Sequence, residues 1–323
     1  MTPPTISRYS QLFPPRAEWT VAEIPDLSDK VIVVTGGNSG IGYETVLELL
    51  RHNAKVYIAA RNQAKVDAAI AELKRQPGVK GHVEFVKLDL ADLRSIEAFA
   101  KEFSTREKQI DILFDNAGIM ENTPGKTVQG FEQHVGINSI GTHYVTKLLL
   151  PLLKAATAAH PESPARVVFT SSFLHINAPE HGFSAEDPYA EKDLPEGMSM
   201  PMRLYGTSKF YNILSARKLQ REHSDIVFTA VHPGYVRTPL LGKGTDLMST
   251  LRHYFVIPWI TLPQKSGAVT QLYAAFSEAG LKKGAYFVPY GREAATIPAG
   301  DDPKVQDAFV EWCESQIAKN AAA

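Results

Sequence analysis

The feature that most constrains the fold is a regular alternation of short β-branched runs with stretches of helical periodicity, beginning at Lys30. Residues 31–37 (VIVVTGG) form a β-branched run ended by glycines, the pattern of a strand buried on both faces. Apolar residues at helical spacing follow over 41–52. The rhythm repeats as a strand at 56–60, a helix to Arg75, a strand at 82–88, a helix at 93–103 and a strand at 110–114. A long helical region over 131–159 leads to strands at 166–172, 226–231 and 285–288, separated by helices at 204–223 and 264–278. Pro303 opens a last helix whose apolar stripe is Val305, Phe309 and Trp312, proline being at home in a first helical turn. Such alternation predicts a parallel sheet covered by helices on both faces, and right-handed crossovers make it doubly wound.

No Gly/Ser-rich or charged linker interrupts 30–300, so the chain reads as one α/β domain with a sheet of about seven strands. A proline-rich arm, 1–29, precedes it and is expected on the surface; a C-terminal helix occupies 301–323. Two stretches break the rhythm. Residues 173–204 are acidic and carry prolines, and 239–263 are rich in Leu, Met, Tyr, Phe and Trp. Long irregular segments inside a compact domain are more often binding loops than accidents.

Composition excludes several classes. The formal net charge is −1, so no basic excess points to nucleic acid or an anionic membrane. Cys313 is the only cysteine and the histidines are scattered, which rules out an internal disulfide, gives no zinc-spaced cluster and fits a reducing, cytoplasmic setting. No apolar run reaches the roughly 18 residues of a membrane span, and the N-terminus lacks the apolar core of a signal peptide.

The first strand runs into Thr35-Gly36-Gly37-Asn38-Ser39-Gly40-Ile41-Gly42, which opens the first helix. Glycines there let backbone approach a pyrophosphate, and the helix N-terminus offers free N–H groups and a positive dipole end. The second strand ends Ala59-Ala60-Arg61. No acid stands there to repel a 2′-phosphate and Arg61 can pair with it, which favours NADP(H) over NAD(H). Asp89, beside Leu90 at the end of the third strand, suits either an adenine amino group or a helix N-cap.

Tyr205 and Lys209 lie one helical turn apart and so share a face. A carbonyl accepting hydride needs a proton, and a phenol with pKa of about 10 is a poor acid–base group unless a neighbouring ammonium lowers it. Ser172, at the end of the fifth strand, is placed to hydrogen-bond an oxygen on which charge develops. In an open α/β sheet, ligands sit at the carboxyl ends of the strands. Gly36, Asp89, Asn116, Ser172 and Pro233 all fall at such ends.

The stretch from Lys30 to Pro289 resembles the short-chain dehydrogenase/reductases, with local wording similar to the branch that holds retinol dehydrogenases and WW-domain oxidoreductases. The residues that carry the likeness are the glycine turn, Asp89-Leu90, Asn116-Ala117-Gly118, Asn138, Ser171-Ser172, Tyr205 with Lys209, and His232-Pro233-Gly234 through Thr238. The resemblance implies a Rossmann-type sheet and a catalytic tetrad. In it Tyr205 is the acid/base, Lys209 lowers its pKa and binds the nicotinamide ribose, Ser172 orients substrate, and Asn138 holds a proton-relaying water. It further implies that Pro233, Gly234, Val236 and Thr238 line the nicotinamide end, and that the chain assembles as a dimer or tetramer. Alternatives stay open: Ser171 facing the site in place of Ser172, Asn138 satisfying backbone in a kinked helix, and Pro233-Gly234 as a plain turn.

The expected activity is hydride transfer between NADP(H) and a small alcohol, ketone or aldehyde, with no metal. Leu240, Leu241, Met248, Leu251, Tyr254, Phe255, Ile257 and Trp259 would make an apolar lid and a lipophilic or aromatic substrate. They suit a dimer contact or core as well, and 254–262 suits a membrane surface. The competing reading is a non-catalytic NADP-binding sensor or interaction protein on the same fold.

Overall fold

The β-branched runs become the strands β1 (Val31–Thr35), β2 (Lys55–Ala60), β3 (His82–Lys87), β4 (Ile112–Asp115), β5 (Arg166–Thr170), β6 (Val227–Val231) and β7 (Tyr286–Val288). The computed structural model describes residues 3–192, 197–237 and 261–321. The seven strands pair in parallel in the order β3-β2-β1-β4-β5-β6-β7, and a short antiparallel strand, β8 (Arg292–Glu293), completes an eight-stranded sheet. That edge strand has only two residues, too few for a period to show in the sequence.

Among the described residues the α-helices are α1 (Arg8–Leu12), α2 (Gly40–Arg51), α3 (Gln63–Leu73), α4 (Leu93–Arg106), α5 (Gln133–Val135), α6 (Thr142–Ala159), α7 (Met200–Glu222), α8 (Gln264–Phe276) and α9 (Pro303–Ala321). Two buried layers sandwich the sheet. One is built on α4, α6, α7 and α9, with Phe99, Leu149, Phe210 and Phe309 in it. The other is built on α2, α3 and α8, with Leu49, Val66 and Leu272 in it. Strands covered on both sides lose the polar alternation of a half-solvated sheet.

Four sequence expectations change. The helical region over 131–159 is not continuous: a π-turn, Gly136–Gly141, separates α5 from α6. Helix α7 begins at Met200, ahead of the expected 204, because Ser199 is extended and Pro201 lies in the first turn. The N-terminal arm is not merely superficial, since Trp19, Ile24 and Leu27 are buried in the α2/α8 layer. The last helix likewise belongs to the domain's core, with Phe309, Val310, Cys313 and Ile317 buried.

Candidate functional site

A cavity of about 810 Å³ opens at the carboxyl ends of the strands. Its wall begins at the β1–α2 turn, where Gly36 (φ +67°) and Gly40 (φ +59°) take left-handed conformations that favour glycine. A Cβ on Gly42 would stand 2.5 Å from the Gly36 carbonyl oxygen and 2.6 Å from the Asn116 amide nitrogen. Asn116 supports the turn from beneath, its amide donating to the Thr35 carbonyl at 3.0 Å, while Ala117 N–H donates to Thr35 Oγ1 at 3.0 Å. This cradle of bare backbone fits a pyrophosphate, as does the adjoining N-terminus of α2.

Of the residues singled out in the sequence, Gly36, Asn38, Ser39, Gly40, Ile41, Gly42, Arg61, Asp89, Leu90, Asn116, Ala117, Gly118, Ser172, Tyr205, Lys209, Pro233, Gly234 and Val236 line this one cavity. Thr238 and the expected lid, from Leu240 through Trp259, lie outside the described residues. Asp89 does not cap α4; Asp92 does, accepting from Arg94 N–H. The Asp89 carboxylate instead accepts from Ala91 N–H at 3.0 Å.

Helix α7 carries the chemistry-bearing pair. Gly206 lets it press against the turn Phe173–Asn177, because a Cβ there would collide with the Leu174 carbonyl oxygen. That close approach brings Ser172 to the Tyr205 phenol. Burial pushes the phenol up to about 12, and the Ser172 hydroxyl pulls it part of the way back. The His134 ring packs edge-on to Tyr205 with centroids 6.4 Å apart, and is itself fixed by Glu132 and by Glu121 N–H.

Lys209 Nζ donates to the Thr170 carbonyl at 2.9 Å and lies 5.9 Å from the Tyr205 ring centroid. Burial lowers the ammonium to about 8, and the buried Asp115 carboxyl opposes the shift. Burial also raises Asp115, against a hydrogen bond from Thr146 and the charge of Lys209. Burial is the largest influence on the Tyr205 phenol and holds it above its ordinary value.

Asn138 does not line the cavity but braces its wall. In the π-turn its side-chain oxygen accepts from Ile119 N–H at 2.8 Å, and its amide donates to the Ile119 carbonyl at 2.9 Å and Ser208 Oγ at 3.0 Å. Gly118 leaves room for both Asn138 and Lys209, whose Oδ1 and Nζ would lie 3.1 and 3.0 Å from a Cβ there. Ser171 is turned away, its hydroxyl donating to the Lys209 carbonyl at 2.7 Å, so Ser172 is the serine facing Tyr205.

The sequence reading missed Lys65, which lines the cavity one turn into α3 beyond Arg61; a second basic residue so soon after the β2 end was the available signal. His232, quoted in the sequence only as part of the His232-Pro233-Gly234 motif and given no role, lines the cavity as well. Burial pushes that imidazole down to about 3, so it stays neutral, and its Nδ1 accepts from Phe173 N–H and Gly234 N–H at 3.1 and 3.3 Å. His232 thereby ties the turn after β6 to the segment after Ser172. Phe173, Leu174 and Met202, from the irregular stretch 173–204, and Tyr235, inside the motif from His232 to Thr238, also line the cavity, as do Gln11, Leu12 and Met120, which no sequence signal marked.

The short chain dehydrogenase family model matches residues 30–184. A short-chain dehydrogenase/reductase of Armillaria gallica is 39% identical over 312 residues, covering 95% of this chain and 96% of that protein. Human retinol dehydrogenase 12 is 39% identical over 267 residues, covering 81% of this chain and 78% of that protein. The crystal structure of an uncharacterised protein from Mycobacterium paratuberculosis superposes with a TM-score of 0.71 at 27% identity, over 94% of this chain and 98% of the other. Pseudomonas aeruginosa RhlG, solved as an NADP active-site complex, shares the fold with a TM-score of 0.63 at 23% identity, over 82% of this chain and 95% of its own. Fold and sequence likeness put the chain among the oxidoreductases built on the doubly wound, Rossmann-type sheet. Within that class it belongs to the short-chain dehydrogenase/reductase family, in its retinol dehydrogenase-like branch.

Proposed function

We propose that the protein is an NADP(H)-dependent oxidoreductase that interconverts a small, lipophilic carbonyl compound and its alcohol. One observation carries the reading: a single cavity joins the glycine cradle and Arg61 to Ser172 and Tyr205. When bound, the nicotinamide supplies or takes up the hydride. The cradle formed by Gly36, Gly40 and Gly42 holds the pyrophosphate, and Arg61 and Lys65 answer the 2′-phosphate. Asp89 accepts from the adenine amino group, and Pro233, Gly234 and Val236 enclose the nicotinamide end.

In the direction of reduction, Ser172 and Tyr205 donate hydrogen bonds to the carbonyl oxygen. As that oxygen gains charge, the phenol proton moves onto it and the alcohol forms. A phenol held up to about 12 is protonated at neutral pH, hence ready to donate. Lys209 stabilises the phenolate left behind and holds the cofactor ribose, and the phenolate regains its proton from solvent. Asn138 keeps the Ile119 backbone and Ser208 in place around Lys209, and a water beside it relays that proton. Met120, Phe173, Leu174 and Met202 make the described substrate wall apolar, which favours lipophilic or aromatic ketones and aldehydes.

The test is a panel of carbonyl compounds assayed by nicotinamide absorbance with NADPH and with NADH. Turnover with NADPH is expected, lost by about 10²–10⁴-fold in Tyr205→Phe while NADPH binding persists. Binding of NADPH without turnover of any carbonyl, or a Tyr205→Phe variant as active as the native chain, overturns the reading.

Among the described residues no helix is long and apolar enough to cross a membrane. The same reading places the protein in the cytoplasm as a dimer or tetramer, to be checked by fractionation and light scattering.

A further inference from the structure

The arm ahead of the matched family region reaches the substrate end of the cavity. Gln11 and Leu12, from α1, form part of its wall. The arm is clipped down by Arg292 on β8, whose two terminal nitrogens donate to the Ser10 hydroxyl and the Ser10 carbonyl, both at 2.7 Å. A backbone hydrogen bond from Ala295 N–H to the Pro4 carbonyl, at 2.9 Å, fixes its start, and Ile6 packs against the core. The Arg8 guanidinium sits 5.9 Å from the centroid of Phe173, the residue after Ser172. In the strand order, Arg61 follows β2 on one side of the sheet, whereas Phe173 follows β5 and Arg292 lies on β8 at the other edge. Helix α1 therefore borders the Ser172–Tyr205 end and not the Arg61 end.

We infer that α1 is a specificity wall: Leu12 and Gln11 contact the substrate's apolar body and select lipophilic carbonyls by the volume of that body, with Arg292 as the positioning residue that holds the wall closed. This rests on the activity proposed above. The Gln11 amide nitrogen is engaged by the Ile6 carbonyl at 2.8 Å, so the side chain is held and Leu12 presents a fixed surface. A wall of fixed shape discriminates by volume, which is worth roughly 10–200-fold per methylene-sized mismatch.

The experiment compares the native chain with Leu12→Trp, Leu12→Ala and Arg292→Ala. It uses calorimetric binding of 2-acetonaphthone to the NADP-loaded protein, and the ratio of kcat/KM for 2-acetonaphthone over acetaldehyde. Leu12→Trp is expected to weaken 2-acetonaphthone binding by about tenfold or more and to lower the ratio through KM. Leu12→Ala is expected to raise that ratio, because the vacated volume favours the larger of the two substrates. Arg292→Ala is expected to flatten discrimination, with NADPH affinity kept as the control that its site is intact. A ratio unmoved in all three variants overturns the wall, as does a native chain that fails to bind 2-acetonaphthone. Binding that responds to Leu12 without any turnover upholds the wall and removes the oxidoreductase reading. Turnover indifferent to Leu12 does the reverse.

Discussion

At the scale of single residues, the site is governed by what burial does to three titratable groups. Tyr205, Lys209 and Asp115 are all buried, and each is driven toward its neutral form. Lys209, lowered to about 8, and Asp115, raised to about 8, both come into the working range. If the positive charge of Lys209 supports the phenolate, turnover falls as pH rises through about 8. Asp115→Asn removes the carboxyl that opposes this lowering, so the basic limb moves to lower pH; a kcat profile that keeps its limb would show the carboxyl to be neutral there. Arg61 is exposed, and its pairing with a 2′-phosphate is open to salt screening. Arg61→Ala should weaken NADPH by roughly tenfold at low ionic strength and less as salt rises, with NADH affinity unchanged, as titration by cofactor fluorescence would show.

At the scale of elements, the site depends on places where backbone approaches backbone. Gly42 is the tightest of the cofactor cradle, and no side chain can be added without moving the Gly36 carbonyl or the Asn116 amide. Gly42→Ala is expected to cost about 1–3 kcal/mol of stability by overpacking and to raise the NADPH dissociation constant, measured by urea denaturation and by titration. The π-turn at Gly136–Gly141 is a comparable device, since it interrupts the helical ladder and aims Asn138 at Ile119 and Ser208. The sequence pattern over 131–159 reads as one helix because apolar spacing alone does not register a single extra residue in a turn.

At the scale of the whole molecule, α7 is held in place from behind by α9. Phe309 is fully buried and stacks on Tyr211 with ring centroids 4.3 Å apart, while Arg221 and Lys218 pair with Asp307. Phe309→Ala should cost about 3–5 kcal/mol, seen as a lower urea midpoint. It should also depress kcat, because Tyr205 and Lys209 ride on the same helix. Loss of stability with kcat intact would show that the catalytic end of α7 is positioned independently of its packed middle.

The sheet and the glycine turn were legible in the chain because both are local. Strands buried on two faces need uninterrupted β-branched runs, and a backbone cradle needs glycine. That Ser172 faces the cavity was legible because the carboxyl ends of parallel strands converge whatever the loops do, and that Tyr205 and Lys209 share a face was legible because one helical turn separates them. What no local pattern held was the reach of distant segments. Leu12 lines the cavity on an arm that Arg292, on an edge strand too short to read, grips at Ser10. The electrostatic state of Tyr205 was equally invisible, since the spacing of Tyr205 and Lys209 says nothing of Thr170 and Asp115. Folding brings those groups to the ammonium and excludes water, and the desolvation that follows decides which side chains hold their protons.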